Sequence, residues 1–256
     1  MGNNIVTKDL AIGYPLKKGA VKTVFDHISL ELHSGELTSL LGLNGAGKST
    51  LLKTLCGFLP PLAGEILIGG KPLGILSKHE LARLIGVVLT EKTSAGGITV
   101  YELVSLRRYP HTDFFGQLKP SDHQAIESAL DAVGILHKAD AYLSQLSDGE
   151  RQKAFIAKAL AQECPIIILD EPTAFLDIKS RIDAMDLLTA ITRTQNKAVL
   201  LSTHDLDTAL RISDQLWLAD TGNGEIVTGT PAELLSSDIF RRLFGEKVAE
   251  MLAFST

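Results

Sequence analysis

The sequence predicts an α/β fold: a parallel sheet flanked by helices, with an antiparallel β subdomain near its start and an inserted α-helical subdomain. Three observations lead to this prediction. After residue 162, short apolar segments alternate with helical segments, which is typical of a parallel sheet. Near the N-terminus, apolar and polar residues alternate as they do in strands with one solvated face. Residues 91–161 carry helical spacing with few strand signals.

All 256 residues are predicted to form one domain, because one α/β unit with an inserted subdomain can hold a chain of this length. Residues 1–90 and 162–256 are expected to form the core with its β subdomain. Residues 91–161 are expected to form the helical subdomain.

The first elements follow from the burial pattern that each segment implies. Residues 5–12 and 28–32 alternate and predict antiparallel strands. Leu37–Leu41 is a mostly apolar run that ends in glycine, the pattern of a strand buried on both faces. A helix is predicted from Lys48 to about Cys56.

The later elements are predicted in the same way. Strands are expected at residues 64–70, 85–89, 166–169, 198–202, 215–218 and 225–228. Helices are expected at residues 78–84, 100–107, 122–133, 150–161, 179–193 and 205–212, with a closing helix that begins at Thr230.

Charge, hydropathy and cysteine content indicate which kinds of partner and which cell compartment to expect. The net charge of -5, without a dense Lys/Arg run, provides no electrostatic footprint for nucleic acid or an anionic membrane surface. The longest apolar stretches are far shorter than the roughly 18 residues of a membrane span, and no secretory signal is visible at the start. Cys56 and Cys164 are expected to pack in the interior rather than form a disulfide. A cytoplasmic protein that reaches a membrane through a partner is therefore expected.

Residues 42–49 match the phosphate-loop template G-x-x-x-x-G-K-[ST], between a buried strand and a helix. Glycines let backbone N–H groups surround an anion, and the helix N-terminus adds partial positive charge. Lys48 is expected to reach the β- and γ-phosphates, and Ser49 to bind Mg²⁺. The alternative is a glycine turn with an incidental lysine. The predicted nucleotide-binding residues are those of this segment and the residue after it: Gly42, Leu43, Asn44, Gly45, Ala46, Gly47, Lys48, Ser49 and Thr50.

Two later strands end in polar residues, at the sheet edge where ligands of parallel sheets bind. Asp170 is predicted to hold Mg²⁺, and Glu171 to act as the general base that polarises the attacking water. A helix-capping acidic pair is the alternative. His204 is a candidate sensor of the γ-phosphate, although a single histidine at a strand end is more often structural.

The segment from Leu146 to Glu150 precedes a helix. Ser147 and Glu150 form an S-x-x-E capping box, which is sufficient to explain them. A glycine-bearing helix N-terminus can also bind an anion, so Gly149 makes this segment a second candidate phosphate site.

Together these residues resemble the nucleotide-binding subunit of ABC transporters, over nearly the whole chain and in that family's motif order. The matches are residues 42–49 with the Walker A loop, 146–150 with the signature motif, 166–171 with Walker B, 173–177 with the D-loop, and His204 with the switch histidine. The resemblance implies a P-loop NTPase (RecA-like) core that binds ATP with Mg²⁺ and hydrolyses it. It also places Tyr14 where the family stacks an aromatic ring on adenine.

The family's architecture implies that two copies pack head to tail. Each ATP would then lie between the Walker loops of one copy and Ser147, Gly149 and Glu150 of the other. The resemblance further implies separate integral-membrane permease subunits and an extracytoplasmic substrate-binding protein, with this chain at the inner face of the membrane. No nucleic-acid partner is expected.

Leu106–His111 resembles a segment of importers for iron-siderophores, haem or cobalamin, and residues 57–64 resemble another. A basic helix end broken by Pro110 is the alternative reading. A soluble ABC ATPase that acts on nucleic acid or a protein assembly, and a nucleotide-binding module with negligible hydrolysis, are the competing functions.

Three motifs depart from the family pattern. Thr90, followed by Glu91, stands where the family has the Q-loop glutamine, and Thr90 is the candidate Mg²⁺ ligand there. The signature has Asp148 for the commonest glycine and Glu150 for glutamine, which predicts weaker affinity for an incoming phosphate. Leu43 replaces the usual proline and is expected to matter little.

Overall fold

The computed structural model describes residues 5–16, 21–89, 97–111, 117–174 and 176–253. These residues form two sheets surrounded by helices, as predicted. Within the described part of the chain, no helix combines the length and the apolar character needed to cross a bilayer.

The elements are numbered in chain order. The strands are β1 (Ile5–Pro15), β2 (Val21–Ile28), β3 (Glu31–Leu32), β4 (Leu37–Leu41), β5 (Ala63–Ile68), β6 (Lys71–Pro72), β7 (Ile85–Val88), β8 (Ile166–Asp170), β9 (Ala198–Ser202), β10 (Gln215–Asp220) and β11 (Glu225–Gly229). The α-helices are α1 (Lys48–Leu55), α2 (Lys78–Leu84), α3 (Val100–Ser105), α4 (Pro120–Ala132), α5 (Asp148–Leu160), α6 (Ile178–Thr194), α7 (Leu206–Ile212), α8 (Pro231–Leu235), α9 (Asp238–Phe244) and α10 (Glu246–Ala253).

The larger sheet has the order β11-β10-β4-β9-β8-β7, and all neighbours are parallel except β10 and β11. Every residue of β4, β8 and β9 is buried, because helices or the second sheet cover both faces. The order places the carboxyl ends of these three strands side by side. The phosphate loop, Asp170 and the residues after Ser202 therefore meet at one edge.

Alternate residues of β8 enter different cores, as the two-residue period of a strand requires. Ile167 and Leu169 pack with the helices of residues 100–160 and with α6. Ile166 and Ile168 pack with α1 and the antiparallel sheet. The central sheet thus joins the helical and antiparallel parts of the chain.

The antiparallel sheet has the order β2-β1-β5-β6, with β3 also paired to β1. The prediction of one strand at residues 28–32 was wrong: Ile28 ends β2 and only two later residues form β3. The sequence does not predict β2, because only two of its residues, Phe25 and Ile28, are buried. They lie three positions apart, which does not match the two-residue period of a strand. Register shifts in the pairing of β1 with β2 account for this departure from strict alternation.

The chain after Thr230 forms three short helices, α8, α9 and α10, where the sequence suggested one closing helix. Gly245 has a φ of 91° between α9 and α10. That conformation is easy only for glycine and separates the two helices.

Helix α3 ends earlier than predicted, and a 3-10 helix, Leu106–His111, follows it. Arg108 in this segment is buried; its Nε donates to Asp122 Oδ1 at 2.8 Å, and its Nη1 donates to the carbonyl oxygen of Ala161 at 2.6 Å. Arg83, from α2, donates twice to the carbonyl oxygen of Pro110, at 3.0 and 2.8 Å. Arg108 therefore anchors the segment to α4 and to the end of α5, and Arg83 anchors it to α2.

We predict that Arg108→Met lowers the free energy of unfolding by about 3–5 kcal/mol, because the buried Asp122 carboxylate would lose its cation. Arg211→Met is the matched control, since Arg211 forms an exposed ion pair with Asp207, and such a pair contributes about 1 kcal/mol or less. Urea unfolding measures both. Equal losses in the two variants would show that the buried pair has no special role.

Candidate active site

The phosphate loop connects β4 to α1 through a turn with two left-handed glycines, Gly45 and Gly47. Gly47 has a φ of 77° and forms the N-cap of α1. A Cβ atom there would lie only 2.2 Å from Val24 Cγ1. Both the left-handed conformation and the contact with β2 therefore require glycine at position 47. The N-terminus of α1 faces the loop, as anion binding requires.

Lys48 is held under this loop. Its Nζ donates to the carbonyl oxygen of Gly42 at 2.8 Å and lies 3.9 Å from Glu171 Oε1. Burial lowers the pKa of Lys48, while the carboxylates of Glu171 and Asp170 oppose that shift. The ammonium group thus has a carbonyl and a carboxylate as neighbours at the base of a cavity.

A cavity of 440 Å³ lies over the loop, and most of the nucleotide-binding residues predicted on this part of the chain line it. The predicted site residues that line it are Tyr14, Asn44, Gly45, Ala46, Gly47, Lys48, Ser49, Thr50, Asp170 and Glu171. Gly42 and Leu43 lie outside its lining. Their carbonyl oxygens face Lys48 Nζ, and the exposed Leu43 side chain lines a separate cavity beside Asp220.

Tyr14 lies near the end of β1, at the wall of the cavity, and its side chain is partly exposed. Its hydroxyl is hydrogen-bonded to Oγ1 of Thr50, which is buried. This contact joins the antiparallel sheet to the first turn of α1. Stacking of Tyr14 on adenine stays a prediction.

A second cavity, of 660 Å³, shares Asn44, Ser49, Asp170 and Glu171 with the first. It also contains His204, whose Nδ1 lies 2.7 Å from Glu171 Oε2. Glu171 adopts a φ of 50°, in the left-handed region that non-glycine residues seldom occupy and that is frequent at functional sites. The structure therefore brings the two predicted catalytic residues, Glu171 and His204, into contact.

Ser202 holds Asp170 and Glu171 in place, a role that the sequence did not predict. Its Oγ donates to Asp170 Oδ1 at 2.6 Å, and the backbone N–H of Glu171 donates to the same Oγ at 3.0 Å. Ser202 is fully buried at the last position of β9, directly opposite Asp170 in the sheet register. A polar residue that ends an apolar strand was the available signal, but its partner depends on strand order.

The predicted capping box at α5 is confirmed. Ser147 Oγ accepts from the backbone N–H of Glu150 at 3.3 Å, and Glu150 Oε2 accepts from the backbone N–H of Ser147 at 2.9 Å. The hydrogen bond from the backbone of Ser147 lowers the pKa of Glu150. Asp148 is exposed, 3.4 Å from Arg151 Nη1. Both acidic side chains of the signature are thus stabilised locally.

The signature segment does not contribute to the two cavities beside the phosphate loop: Ser147, Gly149 and Glu150 are absent from the lining of both. It packs instead against the start of α6, where a Cβ on Gly149 would lie 2.6 Å from Ser180 Oγ. In the described structure, a phosphate in either of these cavities would therefore not lie against these residues of the same chain.

Thr90, the predicted metal ligand at the Q-loop position, and its neighbour Glu91 lie outside the described residues. Within the D-loop, Phe175 does as well. The predicted role of Thr90 stays a prediction.

Comparison with known proteins agrees with this geometry. The ABC transporter family matches residues 25–174. The chain belongs to the ABC transporter family. The ferric enterobactin transport ATP-binding protein of Escherichia coli (strain K12) is 38% identical over 223 residues, which cover 87% of this chain and 82% of that protein. The iron(3+)-hydroxamate import ATP-binding protein of Bacillus subtilis (strain 168) is 33% identical over 242 residues, covering 94% and 88%.

The structural comparison supports the same conclusion. An ATP-binding cassette solved as a dimer in a post-hydrolysis state, bound to ADP and Pi, superposes with a TM-score of 0.75. It is 26% identical and covers 89% of this chain and 98% of that chain. The predicted fold class and family are confirmed, and this ABC protein is an ATP-binding, ATP-hydrolysing subunit.

We predict that Ser202→Ala lowers kcat for ATP hydrolysis by about tenfold, because Asp170 and Glu171 lose the group that orients them. The lost buried hydrogen bonds should also lower the free energy of unfolding by about 1–3 kcal/mol. Phosphate release and thermal unfolding measure the two effects.

Ser39→Ala is the control, because Ser39 is also buried in the central sheet and bonds only the Ser213 hydroxyl, at 2.6 Å, by its side chain in the described structure. It should lose stability and keep kcat. A similar loss of kcat in both variants would assign the effect to general destabilisation.

Proposed function

We propose that this chain is the ATPase subunit of an importer for iron-siderophores, haem or cobalamin-like compounds, working with separate permease subunits. The names of the two relatives carry this proposal: one acts in ferric enterobactin transport and the other in iron(3+)-hydroxamate import. The likeness extends over more than four fifths of each chain. A substrate-binding protein outside the membrane completes the proposed system.

The segment Leu106–His111 supports the importer group and suggests where the permease docks. Arg108 and Pro110 are buried in the anchor described above, whereas Leu106 and Tyr109 are among the exposed large apolar side chains. An anchored segment that presents two apolar side chains suits a protein contact.

Ser49 and Asp170 fit a Mg²⁺ ion that accompanies ATP. Both line the two adjoining cavities, and hydroxyl and carboxylate oxygens are the ligands that Mg²⁺ prefers together with substrate phosphates. Ser202 holds the Asp170 carboxylate in place. When bound, the ion would neutralise charge that develops on the transferred phosphoryl group.

Glu171 is the proposed general base. Its carboxylate lies at the wall shared by both cavities, between Lys48 and His204. It would accept the proton of a water molecule whose oxygen attacks the γ-phosphorus, while the bond from that phosphorus to the ADP oxygen breaks. His204, held against Glu171, would donate a hydrogen bond to the γ-phosphate. Lys48 would stabilise the phosphate charge from the other side.

The second copy of the chain would supply Ser147, Gly149 and Glu150 to the nucleotide. That this segment lines neither cavity beside the phosphate loop supports a composite site. Glu150 carries a negative charge that its lowered pKa maintains, so it would oppose an incoming phosphate. Its capping role at α5 limits that cost, because the carboxylate stays bonded to the Ser147 backbone.

We predict that Glu171→Gln lowers kcat by at least about a hundredfold, within the range of general-base catalysis, while ATP still binds. The amide keeps the size of the side chain but cannot take a proton. Phosphate release and retention of radiolabelled ATP on the purified protein measure the two effects.

His204→Ala is expected to reduce hydrolysis with nucleotide binding retained. Asp207→Asn, on the exposed side of α7, is the matched control and should behave as wild type. Hydrolysis by Glu171→Gln at the wild-type rate would remove Glu171 from the role of base.

The importer proposal predicts that the chain co-purifies with an integral-membrane permease from detergent-solubilised membranes. Tyr109→Ala should weaken this association and leave basal hydrolysis unchanged, because Tyr109 lies outside both cavities. Met251→Ala removes another exposed apolar side chain, on α10, and should have no effect. Recovery of nucleic acid or a soluble protein assembly, with no permease, would favour the soluble ABC ATPase.

A further inference from the structure

Arg181 lies in the first turn of α6, immediately after the D-loop. The helix starts at the N-cap Asp177, whose Oδ1 accepts from the backbone N–H of Ser180 at 2.7 Å. Arg181 lines the 660 Å³ cavity together with Glu171 and His204. Neither the motif matches nor the proposed chemistry gives this arginine a role.

Arg181 forms an ion pair that joins α6 to the start of α7. Its Nη1 donates to Asp205 Oδ2 at 3.0 Å, with 34% of the arginine side chain and 15% of the aspartate side chain exposed. Burial alone would raise the pKa of Asp205, but hydrogen bonds from Thr208 and Arg181, with the charge of Arg181, outweigh it and lower the pKa. Asp205 is therefore ionised at neutral pH, and the pair is charged.

Asp205 is also the cap of α7. Its Oδ1 accepts from the backbone N–H of Thr208 at 3.2 Å, and its Oδ2 accepts from the Thr208 hydroxyl at 2.8 Å. One carboxylate therefore connects the end of β9, the start of α7 and the start of α6.

His204 lies between the end of β9 and Asp205, and few contacts hold its side chain. In the described structure its side chain has one hydrogen bond, to Glu171, and it is 62% exposed. Its position depends on the backbone on either side. The N–H of Thr203 donates to the carbonyl oxygen of Leu40 at 3.2 Å, so β4 holds the loop before His204, and Asp205 holds it after.

We infer that Arg181 is a positioning residue for ATP hydrolysis: through Asp205 it fixes the loop that holds His204 against Glu171. This rests on the proposed roles of Glu171 and His204. Because α6 directly follows the D-loop, the same ion pair makes the position of His204 depend on the position of that helix. Arg181 itself donates no hydrogen bond to Glu171 or His204.

The geometry of the pair shows which substitution should rescue it. In the described structure, Arg181 makes one hydrogen bond to Asp205, from Nη1, and its buried Nε has no hydrogen-bond partner. A bidentate fork is therefore not required, and the single ammonium of lysine can supply the cation. Glutamine retains a polar side chain without charge.

The test compares Arg181→Gln, Arg181→Lys, Asp205→Asn and the double variant Arg181→Gln/Asp205→Asn. The asparagine oxygen can still cap α7, so Asp205→Asn removes mainly the ion pair. Arg211→Gln is the matched control, because Arg211 pairs with Asp207 at 3.0 Å within α7, away from the cavity.

We expect kcat to fall about tenfold in Arg181→Gln and Asp205→Asn, less than the roughly hundredfold cost of a 1 Å misplacement. The Kd of a fluorescent ATP analogue should stay within about twofold, because neither group lines the cavity over the phosphate loop. Arg181→Lys should recover most of kcat. The double variant should lose no more than either single variant, since contacting residues are not additive.

The inference is wrong if Arg181→Gln matches Arg211→Gln in kcat, if the analogue Kd rises as much as kcat falls, or if the two single losses add. Thermal unfolding identifies a variant that fails to fold, and Arg181→Lys and Asp205→Asn then decide.

His204→Ala separates the two proposals. If it hydrolyses ATP normally, the role of His204 fails; if it is impaired while Arg181→Gln is not, only the role of Arg181 fails.

Discussion

The parallel pairing of β4, β9 and β8 is the constraint on which the site depends. It places Asp170 directly opposite Ser202, and one serine hydroxyl then connects the side chain of Asp170 with the backbone of Glu171. The same pairing brings the phosphate loop alongside, because β4 lies next to β9. Hydrophobic burial of these strands on both faces supplies the stability that holds this polar edge in register.

The electrostatics of the edge follow from that packing. Lys48 is buried, and burial disfavours its charged form, but the carbonyl oxygen of Gly42 and the carboxylate of Glu171 lie next to it, and the charge of Asp170 also favours the ammonium form. A phosphate that enters the loop meets this cation and the N-terminus of α1 together. Glu171 and His204 line the adjoining cavity, so the proposed binding and hydrolysis groups lie side by side.

The signature segment and Leu106–His111 line neither of the two cavities at this edge, and the proposed function assigns both of them to contacts with partners. Ser147 and Glu150 satisfy each other at the start of α5, so the fold of one chain does not need a phosphate there. Arg108 and Arg83 anchor the other segment to α4 and α2. In the proposed importer, a single chain therefore supplies half of the nucleotide contact and a surface for the permease.

The sequence by itself determined the α/β class, the phosphate loop, the carboxylates at the end of β8, the capping box and the family, since each depends on residue types and spacings that follow one another along the chain. It missed β2, because a shifted register hides the alternation. The pairing of Ser202 with Asp170, the contact of His204 with Glu171 and the ion pair of Arg181 with Asp205 were decided only by the tertiary structure. Each joins residues 24 or more positions apart, and strand order and helix packing, which bring such residues together, leave no local pattern in a single sequence.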